Sequence, residues 1–301
     1  MSKAQRFEFG YQVITWDLAG QLKDAFPAIA AAGFKWYEAL LGDSLGEDFA
    51  RRNLTLGPVG PPPRFSDLHL LRRLATFGRA DKEYGLQLAS LYVDAEWIND
   101  QLWPLERDVI QANVRFLKGF GSKYLVCGGG KAAREKKHTE NEYKAFARAL
   151  EEIGSYTSRL GMRTVYHPHL DCFIENRDQL ERLISVLNPE LVGICFDPAH
   201  FFISGDDPVE IVRDNIGYID YFHYKNVRGD VKNLSGYDRY LAFSELATGG
   251  IDLSSMTEIL LQHSFQGLVI VEIDYSDDPD ESCHRNARYI IDELGLKLSL
   301  T

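Results

Sequence analysis

Four stretches of this 301-residue chain end an apolar run in groups that bind metals or move protons: Tyr166-His167-Pro168-His169, Asp197-Pro198-Ala199-His200, His223-Tyr224-Lys225-Asn226 and Glu272-Ile273-Asp274. Each follows residues with the character of a strand inside a wall, where an unpaired carboxylate or imidazole is costly. A shared cation would remove that cost. Taken singly, a strand-end Asp or Glu is more often a cap or an ion-pair partner than a ligand. Four such ends in consecutive strands shift the balance toward a site. Asp197, His223 and Glu272, joined by one group from the first stretch, would offer nitrogen and oxygen donors suited to Mn²⁺, Zn²⁺, Co²⁺ or Fe²⁺.

Groups from different strands converge only if the strands lie side by side, and the rest of the sequence supplies that arrangement. Short apolar runs alternate with amphipathic stretches from end to end, as βα units with a parallel sheet do. Eight runs read as strands: FGYQVITW, GFKWYEAL, LQLASLYV, KYLVCGG, MRTVYHPH, LVGICFDPA, IDYFHYKNV and GLVIVEID. Helical stretches such as ENEYKAFARALEEIGSYTSRLG separate them, and several end in glycine (Gly33, Gly85, Gly121, Gly161), the residue suited to a left-handed helix stop. Eight units in this length fit an α/β fold of the (β/α)8 TIM barrel type better than an open sheet, with residues 1–301 forming one domain. The triple glycine at 128–130 lacks the spacing of a dinucleotide turn. GPVGPPP (57–63) reads as a rim loop and residues 229–252 as a second long loop, on the face where barrel function resides.

A net charge of −11 disfavours a polyanion surface, since duplex binding relies on Lys and Arg to neutralise phosphates. The four cysteines lie far apart with no CxxC pair, so buried thiols in a reducing cytoplasm are expected. Neither a signal peptide nor a membrane-spanning run is evident. The expected partner is a small molecule, with no nucleic acid and no membrane, and homo-oligomerisation is left open.

Further candidates each have a plain structural reading. His200 and Lys225 suit substrate orientation or proton transfer, or equally a helix start and a surface cation. Glu38, closing the second strand, is an acid/base candidate or a cap. Trp16, Trp97, Tyr166 and Phe201 would wall a sugar-sized pocket, although rim aromatics more often pack. His138, His263 and His284 fall in or beside helical stretches and are read as structural.

Along nearly its whole length the chain resembles the xylose isomerase-like TIM-barrel superfamily, and within it the inosose dehydratase group. The segments that carry the resemblance are VITW, GFKWYEALLG, YHPHLDCFIENRDQLERL, NPELVGICFDPAHFFISGDDP, YIDYFHYKNVRGD, ATGGIDL and FQGLVIVEID, in that order. The resemblance implies one divalent ion, Mn²⁺ before Co²⁺ or Zn²⁺, held at the matching positions His167, Asp197, His223 and Glu272. A glutamate is commoner at the first of these. The keto-sugar epimerases of the superfamily use two glutamates on opposite faces of the substrate, so a histidine at 167 departs from that mechanism, whereas the inosose dehydratase group has a similar Tyr-His-x-His stretch. Pro198-Ala199 and Asn226 stand where Thr-Gly and Asp are common.

The chemistry implied is proton removal beside a ketone followed by loss of a β-hydroxyl from a keto-cyclitol or keto-sugar such as 2-keto-myo-inositol. Lys225, His200, Glu38 and His169 are the candidates for proton transfer or orientation, and Trp16, Tyr166 and Arg228 for substrate contact. A keto-sugar isomerase or epimerase, or a lyase cleaving 3-keto-glycosides, would start from the same enolate. Abasic-site nuclease action fits poorly with the acidity and the single ligand set, and a sugar-binding barrel without turnover is the remaining alternative.

Overall fold

A computed structural model describes residues 4–19, 21–40, 67–132, 137–231 and 234–300. Eight parallel strands close into a barrel: β1 (Glu8–Gln12), β2 (Trp36–Leu40), β3 (Gln87–Ala95), β4 (Tyr124–Gly129), β5 (Arg163–Tyr166), β6 (Val192–Phe196), β7 (Ile219–Tyr224) and β10 (Leu268–Val271), with β1 bonded to both β2 and β10. All eight apolar runs are barrel strands, so the expected α/β TIM barrel is the fold found. Gly33, Gly85, Gly121 and Gly161 stop their helices at φ of +94°, +67°, +76° and +70°. The GPVGPPP stretch lies outside the described residues.

Strand geometry sorts the side chains into two shells. Ala89, Val126, Val165, Cys195, Tyr221, Leu268 and Ile270 point inward and fill the barrel, while the neighbouring positions join the larger core beneath the helices. Counting two residues onward from the inward Val165, Cys195, Tyr221 and Ile270 reaches His167, Asp197, His223 and Glu272. The alternation that fills the barrel with apolar groups therefore delivers these four to its C-terminal mouth. A register shift at Tyr37/Glu38 sets Glu38 opposite Ser90.

The described residues of 229–252 form more than a rim loop. The strands β8 (Asn226–Val227) and β9 (Phe243–Ser244) form an antiparallel ladder, with a short helix, Asp238–Leu241, between them. Buried Asn226 staples this excursion, its amide donating to the Leu246 carbonyl at 2.8 Å and accepting from Ile251 N at 2.9 Å. A carboxylate could not make the first of these bonds, which accounts for an amide at this position.

The helix Glu140–Arg159 lies close against the barrel at Gly154, where an added Cβ would come within 2.6 Å of the Leu191 carbonyl oxygen. Alanine would gain about 1 kcal/mol in helix propensity, but a backbone atom cannot yield as a side chain does, and overpacking costs about 1–3 kcal/mol. Gly154→Ala is therefore expected to destabilise the protein by up to about 2 kcal/mol, read as a lower denaturation midpoint in urea at unchanged slope.

Candidate metal centre and active site

At the mouth, one ligand atom from each of His167, Asp197, His223 and Glu272 falls within 4.8 Å of the others, and all four residues are buried. Asp197 divides its carboxylate between two tasks. Oδ1 caps the helix Pro198–Ile203 by accepting from Ala199 N at 2.7 Å, leaving Oδ2 to face His167 Nε2 at 3.8 Å and His200 Nε2 at 3.4 Å. His223 lies between two carboxylates, with Nδ1 2.8 Å from Glu272 Oε2 and Nε2 2.9 Å from Glu38 Oε1. Burial opposes its charge, but the neighbouring Cys195, Glu38 and Glu272 outweigh that and raise its pKa well above the ordinary histidine value.

Lys225 supplies the internal counter-charge. Its Nζ is 3.2 Å from Asp274, 3.3 Å from Glu272 and 3.6 Å from Asp197, and lies over the Phe243 ring at 4.5 Å. Burial works against the ammonium, yet the three carboxylates hold its pKa above the usual lysine value. In return, Lys225 helps keep Asp197 and Glu272 low despite their burial. His200 is pushed well below its ordinary value by burial and by neighbouring His169 and Lys225, so it is a neutral imidazole.

The donor set fits a divalent cation. Among the described residues, both ring nitrogens of buried His167 have no hydrogen-bond partner, and Asp197 Oδ2 and His200 Nε2 come no closer than 3.4 Å to each other. Each unmet buried group costs about 1–3 kcal/mol, a cost that a bound cation would relieve. Two imidazoles and two carboxylates are a combination that Mn²⁺, Zn²⁺ or Co²⁺ accepts.

A cavity of about 380 Å³ opens above the cluster, with His167, His169, Glu272, Asp274, Tyr92, Asp94 and Tyr240 on its walls. Of the residues read in the sequence as candidates for proton transfer, His169 reaches this cavity. His200 and Lys225 lie buried behind the carboxylates. Glu38 sits lower in the barrel, 0% exposed, receiving Gln12 Nε2 at 2.7 Å, Tyr221 OH at 2.8 Å and the Ser90 hydroxyl. Trp16 and Tyr166 are not on the cavity wall. Trp16 packs edge-on to Tyr11 and donates to Asp280 at 2.9 Å, while Tyr166 points outward beneath the helices and donates to the Gly129 carbonyl at 3.0 Å. Trp97 and Phe201 are likewise core residues. Arg228 is exposed and lines a neighbouring cavity.

The polar cavity residues Tyr92, Asp94 and Tyr240 carried no mark in the sequence reading, and Asp274 was marked only as part of its strand end. The first two close β3 in YVDA, the same strand-end pattern that marked the later strands, with Tyr92 OH donating to Asp94 at 2.7 Å. Asp274 was visible two residues beyond Glu272. Tyr240 belongs to the long excursion, where no periodicity marks it.

A sequence profile of the xylose isomerase-like TIM barrel family matches residues 26–293. The chain belongs to that family. Among curated relatives, the inosose dehydratase of Clostridium tetani is 26% identical over 169 residues, a match covering 52% of this chain and 57% of that protein. The inosose dehydratase of Clostridium botulinum (strain Eklund 17B) is 27% identical over 241 residues, 72% of this chain and 80% of that one. Among solved structures, the IOLI protein with a bound zinc atom superposes with a TM-score of 0.70 at 17% identity, covering 96% of this chain and 98% of that one. No helix among the described residues is long and apolar enough to cross a membrane.

Asp197→Asn retains an acceptor for the helix cap but lacks the full charge. Isothermal titration with Mn²⁺ or Zn²⁺ is expected to show one ion per wild-type chain and affinity lower by roughly 100-fold or more in the variant, with the circular dichroism spectrum unchanged.

Proposed function

We propose that this protein is a divalent-metal-dependent dehydratase that removes water from a keto-cyclitol or keto-sugar such as 2-keto-myo-inositol. His167, Asp197, His223 and Glu272 would hold the ion. An ion held there supplies positive charge next to the substrate ketone, where it lowers the cost of the enolate by several kcal/mol.

The chain's own groups account for the proton transfers. His169 Nδ1 lies 2.8 Å from the Leu170 carbonyl, and a carbonyl only accepts, so Nδ1 carries the proton and the lone pair rests on Nε2. That fixed tautomer, on the cavity wall, makes His169 the base that takes the proton beside the ketone. The β-hydroxyl then departs as water, protonated by Asp274 on the same cavity wall, with Lys225 behind it at 3.2 Å. Lys225 keeps Asp197 and Glu272 anionic, His200 orients Asp197, and Glu38, remote from the cavity, positions His223 instead of touching substrate.

The observation that carries this reading is the histidine at 167. With Glu272 as the one glutamate of the ligand set, the pair of opposed glutamates expected of a keto-sugar epimerase is missing, and elimination needs only one base beside the ketone. The two inosose dehydratase relatives support the same choice, as does the zinc in the IOLI protein for the metal.

His169→Gln is expected to lower kcat for water loss from 2-keto-myo-inositol by about 100-fold or more with little change in KM, followed by the absorbance of the enone product. His167→Glu restores a second carboxylate and is expected to raise solvent deuterium incorporation relative to water loss, measured by NMR in D₂O. A metal-loaded wild type that leaves every keto-cyclitol and keto-sugar unchanged would sink the proposal.

A further inference from the structure

A second cavity, about 700 Å³ and nearly twice the volume of the first, adjoins the active-site cavity. Tyr240 lines both, and Asp274 on the first wall is followed in the chain by Tyr275 on the second. A rank of rings runs from one to the other. His169 faces Tyr240 at 6.0 Å, Tyr240 meets Phe243 edge-on at 6.0 Å, and Tyr237 stacks beyond Tyr240 at 6.3 Å and 27°. At the outer end, Tyr237 and Tyr275 are each 74% exposed, the highest exposure among the exposed large hydrophobic residues described.

Ligand pockets for drug-sized molecules occupy about 300–1,000 Å³. The first cavity, at the small end of that range, suits a single ring, and a free keto-cyclitol would leave the aromatic cavity beside it unused. Exposed aromatic faces bind the faces of other rings, whether the C–H face of a sugar or the π face of an aryl group.

We propose that the substrate is a keto-glycoside whose reacting sugar occupies the first cavity and whose second ring, sugar or aryl, lies on Tyr237, Tyr240 and Tyr275. This rests on the dehydratase reading of the first cavity and changes its leaving group. His169 takes the proton from the carbon beside the ketone, and that electron pair forms the new C=C bond. The C–O bond at the next carbon breaks, and the second ring leaves as an alcohol or phenol as its oxygen takes a proton from Asp274. The products are an enone sugar and the free ring, with no oxidant, reductant or water consumed.

The second-ring site is tested with compounds that carry no ketone and so do not react: p-nitrophenyl β-glucoside, cellobiose and glucose, titrated by isothermal calorimetry into the Mn²⁺-loaded protein. At least one two-ring compound is expected to bind about fivefold or more tightly than glucose, with that advantage lost in Tyr237→Ala/Tyr275→Ala. The p-nitrophenyl compound alone gaining would identify an aryl leaving group, and cellobiose alone a sugar. Equal affinities for all three compounds, or an advantage that survives the double substitution, overturn the proposal. Turnover is read separately on 2-keto-myo-inositol and on 3-keto derivatives of the two glycosides. Failure of all three substrates would remove the dehydratase reading while leaving the ring-binding result intact, whereas cyclitol turnover without any ring preference would remove the second-ring site alone.

Discussion

The structure depends on how a closed barrel tolerates charge at its mouth. Asp197, Glu272 and Asp274 converge on Lys225 within 3.6 Å, and Lys225 is 1% exposed. Removing one partner of such a group costs far more than the group contributes in net terms, because an uncompensated buried charge remains. Each charge here is therefore held by the others. Lys225 lowers Asp197 and Glu272, the carboxylates keep Lys225 protonated, and the His223 ring is held between Glu38 and Glu272. A cation entering this cluster replaces part of an existing balance instead of creating one. Mutual compensation also fixes side-chain positions, because none of these groups can turn away without exposing another.

The barrel and the lower layer of the site were legible in the sequence for one reason: a strand repeats every two residues. Once Val165, Cys195, Tyr221 and Ile270 are inward, His167, Asp197, His223 and Glu272 must be inward too, and the chain signals this with apolar runs that end abruptly in polar residues. The same rule applied strictly would have turned Tyr166 outward, since it directly follows inward-pointing Val165. Trp16 lay beyond the reach of that rule because it belongs to a short helix after β1, where the two-residue period has ended. Glu38 was marked as closing the second strand, a mark that carries no information about depth. Periodicity gives direction, whereas the height of a residue in the barrel depends on strand stagger and on the register shift beside it. Arg228 and Tyr240 belong to an excursion shaped by the hydrogen bonds of Asn226, which no local pattern announces.

Glycine at 128 shows how the early strands make room for a site whose charges come mainly from the late ones. Val126 points inward, so residue 128 points inward at the mouth, the level that His167, Asp197, His223 and Glu272 occupy on their own strands. A Cβ there would collide with the Tyr92 hydroxyl and approach Asp94 to 2.8 Å. The missing side chain on β4 thus lets two side chains of β3 lean across, and the next two glycines, at φ of +81° and +83°, turn the chain away from the opening. The triple glycine that resembles a nucleotide turn at first sight is a space-making device. It leaves room at the mouth for the Tyr92–Asp94 pair, which shares the cavity wall with His167, His169, Glu272 and Asp274.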